Sequence, residues 1–257
     1  MADAILTGIA DHICTITLNR PDKRNALNRE MMDQLRTAFA RVAGDVNVRV
    51  VILRANGPAF CAGLDLSEMA AQREAGEADL GGLEVILHDL EEVPQPTIAA
   101  VQGDAVAGGC ELALHCDIRV AADDARFSMP LARIGLAVPV TLTWKLVDTI
   151  GAAKTNELLF TGEAVGAETA AHLGLANRVV PTDELDNSVQ GLARQIVANA
   201  PLSVRAMKAF VRRAVQFRKT TPRDDLEGMH RRIRQSRDLQ EGLAARRERR
   251  PPKFTGE

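Results

Sequence analysis

Val101-Gln102-Gly103-Asp104-Ala105-Val106-Ala107-Gly108-Gly109-Cys110-Glu111-Leu112 is the stretch on which the fold turns. It leaves the apolar run Thr97–Val101, crosses a Gly- and Ala-rich segment, and enters the helical pattern Glu111–His115. A strand-length run feeding a tight turn and then a helix belongs to an α/β unit. Gly108 falls at the N-terminus of that helix. Backbone N–H groups there have no partner within the helix and carry the positive end of its dipole. Such a position suits a developing oxyanion, and it is equally a common packing device.

A second segment repeats the theme upstream. Ala59-Phe60-Cys61-Ala62-Gly63-Leu64-Asp65-Leu66 follows the apolar run Val48–Leu53 and the turn Asn56-Gly57-Pro58. Ala62 and Gly63 let the backbone bend and let a ligand come close. This segment lacks the Lys-Ser/Thr of a phosphate loop, and neither segment has a clear dinucleotide fingerprint. Their combination is informative, because two amides from separate turns can converge on one oxygen.

Working outward, Ala4–Ile9 and His12–Leu18 read as strands joined by a polar turn at Ala10–Asp11. Asn28 caps a helix over Arg29–Val42, with Met32, Leu35, Phe39 and Val42 on one face. Leu80–Leu90 reads as a helix closed by Pro94 and Pro96, and Asp117–Ala122 as a further strand. Strands alternating with helices predict an α/β fold with largely parallel pairing. From about Pro181 the pattern becomes helical and charged, with Arg and Lys abundant between Arg205 and Arg250. Charge runs of this kind are mostly solvated helix faces. Residues 1–200 are expected to form a core and residues 201–257 a helical C-terminal region.

Composition excludes several functions. The 257 residues are 46% hydrophobic and 26% charged, with a net charge of −2. This is a globular balance without the basic excess of a polyanion binder. Aromatics are 3%, with no Tyr and one Trp, so stacking platforms for bases are nearly absent and no nucleic acid is expected. Cys14, Cys61, Cys110 and Cys116 form no CxxC pair and have no His at zinc spacing, which predicts reduced thiols and no metal. No apolar run reaches ~18 residues and the N-terminus does not read as a signal peptide. A cytoplasmic protein with no membrane partner is expected.

The pair FCAGLDL and AVAGGCELALHCDI resembles the crotonase (enoyl-CoA hydratase/isomerase) superfamily. The likeness extends through LNRPDKRNALN at Leu18–Asn28, FTG at Phe160–Gly162, AHLGLANRVV at Ala171–Val180, and the tail from Gln240 to Phe254. It implies a spiral of ββα units with a helical C-terminal region that builds a homotrimer or a dimer of trimers. It also implies an acyl-CoA ligand and no separate cofactor, coenzyme A being part of the substrate. The same resemblance assigns the oxyanion hole to the amides of Leu64 and Gly108. It sets Ala26, Ala62, Gly63, Asp65 and Leu66 along the pantetheine and adenine path, and makes Lys23, Arg24 and Lys253 candidates for the CoA phosphates.

Glu111 lies three residues after Gly108, on the same helix face. An acid beside an oxyanion hole suits proton transfer, and the resemblance makes it one of the two glutamates of the family's hydratases. The other belongs at residue 131, which here is leucine, and Gly135–Leu142 also departs from the hydratase pattern. No Asp, Glu, His, Tyr or Cys occurs between Ser128 and Lys145. Leu131 is therefore expected as an apolar wall of the acyl site. His88 and Asp89 fall on the helix before Pro94; a lone His there more often packs than reacts. Three readings follow: hydration or isomerisation through an enolate-like intermediate, decarboxylation of a carboxyacyl-CoA, or non-catalytic acyl-CoA binding.

Overall fold

Strand β1 (Ile5–Ala10) turns back on β2 (Ile13–Leu18) through Asp11 and His12, both left-handed at φ 50° and 66°. Two residues of positive φ make a hairpin turn that matches strand twist, so the turn falls one residue later than expected. The structure, a computed structural model, describes residues 3–74, 82–216 and 224–255. Next to β2 lie β3 (Val50–Ala55), β5 (Thr97–Val101), β7 (Ile118–Ala122) and β10 (Arg178–Val180), all parallel, in the order β1-β2-β3-β5-β7-β10. β3 and β5 are almost wholly buried, as parallel strands covered on both faces must be.

A second sheet has the order β4-β6-β8-β9, from Ala59–Cys61, Asp104–Val106, Arg126–Ser128 and Val165–Gly166. β3, β5 and β7 of the first sheet are each followed directly by a short strand of the second. A helix then follows β4 and β6: α2 (Leu66–Glu74) with α3 (Gly82–Glu92), and α4 (Gly108–His115). This is the expected repetition of ββα units.

Helix α1 (Arg29–Gly44) starts at Asn28, whose Oδ1 accepts from the Met31 N–H at 3.0 Å. Its buried face carries Met31, Leu35, Ala38, Phe39 and Val42, so Met31 replaces the expected Met32. α3 packs between α1 and α4. Of the helix expected at Leu80–Leu90, Leu80 and Gly81 lie outside the described residues.

The chain divides into two units, Met1–Phe127 with Val165–Ala214, and Ser128–Ala164 with Val215–Glu257. The division differs from the one drawn at residue 200. The first unit also holds α6 (Ala167–Leu173), α7 (Leu185–Val197) and most of α8 (Pro201–Gln216). The second holds a 3₁₀ turn at Pro130–Ile134, α5 (Val140–Thr161), α9 (Asp224–Gln235) and α10 (Arg237–Glu248). In that unit α10 seats on the turn carrying Leu131: a Cβ at Gly242 would stand 2.4 Å from the Ile134 oxygen.

Gly109 is where β4 and α4 meet most closely. A Cβ there would stand 2.1 Å from the Cys61 carbonyl oxygen. Gly109→Ala is expected to lower stability by on the order of 2–3 kcal/mol through overpacking. A urea midpoint equal to that of the native protein would contradict this.

Candidate active site

The two glycine segments meet in the first unit. Leu27 donates its N–H to the Gly63 carbonyl at 2.7 Å and accepts from the Asp65 N–H at 2.9 Å, while Ala62 donates to the Arg24 carbonyl at 3.0 Å. In an extended chain successive N–H groups point to opposite sides. With Gly63 and Asp65 tied to Leu27, the Leu64 N–H faces the other way. Gly63, at φ +87°, makes the bend that permits this.

Gly108 comes up against that bend. A Cβ built on Gly63 would stand 3.2 Å from the Gly108 nitrogen, and one built on Gly108 would stand 3.6 Å from the Leu64 nitrogen. Among the described residues neither amide meets an acceptor. Two free donors from separate turns are thus neighbours, one of them on the first residue of α4. Ala107 just before it sits at φ 47°, ψ −117°, a conformation that glycine adopts more readily. Strain of this kind costs on the order of 1–3 kcal/mol and gathers at functional sites.

Glu111 lies on the first turn of α4 and is 2% exposed. Its Oε2 is buried without a hydrogen-bond partner among the described residues. Desolvation, and after it the negative charge of Glu84 on α3, push its carboxyl up to about 8. Burial therefore prevails over the helix N-terminus, which pulls the other way, and Glu111 holds its proton at neutral pH. His115, one turn on, donates from Nδ1 to the Glu111 carbonyl at 2.7 Å and sets Nε2 3.9 Å from Glu91 of α3. Its role is to satisfy a carbonyl of the helix and to tie α4 to α3.

The raised value has a sign that stability must show. An unfolded glutamate titrates near 4.5 and the folded Glu111 near 8, so the folded state binds the proton more tightly between these limits. Stability from this group is complete below pH 4.5 and is lost as pH rises to about 8, by about 5 kcal/mol. Glu111→Gln is expected to flatten that slope and to be more stable than the native protein at pH 9. Parallel stability–pH curves for the two proteins would refute it.

Other candidates are placed as follows. Asp65 accepts from Arg20 at 3.2 Å and from the Ser67 N–H and hydroxyl, which hold its carboxyl below the usual range despite burial that raises it. Leu66 begins α2, Ala62 is half-buried beside Gly63, and the Ala26 carbonyl accepts from Arg20. Lys23 is exposed, and Arg24 is exposed with its guanidinium 3.0 Å from Asp104. Lys253, in the second unit, lines a cavity of about 620 Å³ with Arg250 and Arg237. Leu131 is half-buried in its 3₁₀ turn.

Two residues carry more than their sequence disclosed. Asn25 is fully buried; its Oδ1 accepts from the Arg20 N–H and its Nδ2 donates to the Asn56 and Ala59 carbonyls. It ties the segment that aims Leu64 to the start of β4. Glu84 on α3 acts on Glu111, and the only hint of it in the sequence was a helix sharing His88 and Asp89. His88 is exposed, and Asp89 pairs with Arg36 at 3.0 Å. Among the described residues no helix is long and apolar enough to cross a membrane, and no three His, Cys, Asp or Glu side chains gather as a metal set.

Known proteins share both the sequence and this architecture. The family model for enoyl-CoA hydratase/isomerase matches residues 8–257. The chain belongs to the enoyl-CoA hydratase/isomerase family and is an enzyme of that family. It is 37% identical to the bovine (Bos taurus) mitochondrial enoyl-CoA hydratase domain-containing protein 2, over 98% of this chain and 87% of that one. An enoyl-CoA hydratase structure from Bacillus anthracis superposes with a TM-score of 0.79 at 31% identity, covering 99% of this chain and all of that one. A methylmalonyl-CoA decarboxylase in complex with 2-nitronate-propionyl-CoA gives 0.89 at 29% identity, with 99% of each chain covered.

Proposed function

We propose that this protein processes acyl-CoA thioesters by stabilising an enolate-like intermediate. The Leu64 and Gly108 amides hold the thioester oxygen as charge develops on it, and Glu111 transfers the proton at the adjacent carbon. The observation that carries the reading is the pair of neighbouring, unpartnered amides beside a buried carboxyl. Lys23, Arg24 and Lys253 are the cations offered to the CoA phosphates. No cofactor is called for beyond the CoA of the substrate. The test is incubation with a panel of enoyl-CoA, 3-hydroxyacyl-CoA and carboxyacyl-CoA thioesters, with products followed by mass. At least one conversion is expected; tight binding with no conversion across the panel would replace this reading with that of a non-catalytic binder.

Decarboxylation of a carboxyacyl-CoA is favoured by a specific observation. Glu111 is 2% exposed and its Oε2 meets no hydrogen-bond partner among the described residues, which disfavours the charged form and suits an acid that quenches an enolate better than a base that activates water. Loss of CO2 generates that enolate with no second carboxylate, and residue 131 is leucine where a hydratase has glutamate. The likeness to the methylmalonyl-CoA decarboxylase structure supports it. Formation of propionyl-CoA or a homologue from the carboxyacyl arm alone would establish this branch.

The assembly belongs to the same reading. Leu202, Met207, Phe210 and Val211 on α8 are 80%, 55%, 70% and 66% exposed in the single chain, an apolar set suited to contact between copies. A trimer or a dimer of trimers is expected in analytical ultracentrifugation at micromolar concentration, and a monomer would refute it.

A further inference from the structure

The hydratase pattern places the partner of Glu111 at residue 131, and that position holds leucine. The first unit offers a different carboxylate. Leu83 of α3 lies over the oxyanion turn, its Cδ2 3.0 Å from where a Cβ of Gly108 would stand. Glu84 is the next residue, exposed, in the first turn of α3. Glu91, seven residues later and hence two turns on along the same face, meets His115 at 3.9 Å. His115 is one turn after Glu111. The two helices are thus registered so that the face of α3 meeting the end of α4 at Glu91 carries Glu84 beside its beginning, where Glu111 sits.

We propose that Glu84 is the second carboxylate of this site, passing protons between buried Glu111 and solvent. The inference rests on the acyl-CoA reading for its chemical use, though not for its test. Glu84 acts through Glu111 and does not touch the thioester. When the enolate is quenched, the Glu111 O–H bond breaks and a C–H bond forms at the α-carbon. The thioester carbonyl is restored and Glu111 is left as a carboxylate. A proton taken from solvent by Glu84 then returns Glu111 to its acid form, so no redox partner or co-reactant is needed. The surroundings agree with this. Cys110, the residue before Glu111 on α4, is a thiol pushed up to about 12 by burial and remains neutral, and His115 spends its Nδ1 on the Glu111 carbonyl. Glu84 is the charge that bears on Glu111, raising its affinity for the proton after desolvation has done so.

The test is an infrared titration of the substrate-free protein, with the protonated-carboxyl band of Glu111 assigned by its loss in Glu111→Gln. In Glu84→Gln the midpoint of that band is expected to fall by about half a pH unit or more, because removal of a nearby like charge lowers a carboxyl pKa. Asp89→Asn removes one charge from the same helix, where it pairs with Arg36, and is expected to leave the midpoint in place. With a turned-over acyl-CoA, the alkaline limb of kcat is expected to move down by the same amount in Glu84→Gln while KM stays within a factor of two or so. An unmoved midpoint in Glu84→Gln would overturn the proposal even if acyl-CoA is converted. A shifted midpoint with no conversion of any thioester would support the coupling of the two carboxylates and sink the acyl-CoA reading instead.

Discussion

Glu111→Gln lowers turnover of the preferred acyl-CoA by about 100- to 10,000-fold, the usual contribution of a positioned acid or base. Glutamine keeps the shape of the side chain and removes the transferable proton. Binding of the thioester should change by no more than a few-fold, since the oxyanion donors are backbone amides on Leu64 and Gly108. The loss will not be one of folding. The carboxyl is buried without a partner at Oε2 and is costly to ionise there, so a neutral amide relieves that cost above pH 8. Steady-state kinetics with a parallel binding measurement checks both halves. Turnover within a factor of a few of the native rate would remove Glu111 from the chemistry.

Gly108→Pro lowers turnover by ~100-fold or more, the scale of one oxyanion donor. Proline deletes the N–H and is otherwise accepted at the first helical position. It asks for an extended residue before it, whereas Ala107 stands at ψ −117°. The variant is therefore read together with its circular dichroism and its affinity for CoA. An amide-to-ester replacement at Gly108 deletes the same donor without the ring and is expected to give a loss of the same order. Native turnover in a folded, CoA-binding form of either protein would exclude Gly108 as a donor.

Much of this architecture was legible because the core strands are continuous apolar runs. Thr97–Val101 was placed to the residue, and Asn28 was recognised as a cap by its residue type and position. The Gly108 turn could be read because small residues between a strand and a helix let the backbone bend tightly and let a ligand come close. The helix α5 at Val140–Thr161 could not be read, since it has little amphipathic contrast and is interrupted at Gly151, at φ 74°. Met31 took the place of Met32 because the two are adjacent and only packing against the sheet chooses between them. Asn25 spends its amide on three backbone groups, partners that only the folded chain brings together. Glu84 was invisible in sequence because its link to Glu111 depends on how α3 crosses α4, which no local pattern encodes.

The central claim is that the Leu64 and Gly108 amides polarise a thioester carbonyl. Infrared spectroscopy of a bound, non-reacting acyl-CoA carrying a ¹³C label in the thioester carbonyl tests it most directly. Hydrogen bonds to that oxygen weaken the C=O bond, so the labelled band should move to lower frequency on binding, and the ester variant at Gly108 should lose a large part of the displacement. A bound thioester whose carbonyl band stays at its position in water, in the native protein and the variant alike, would contradict the claim.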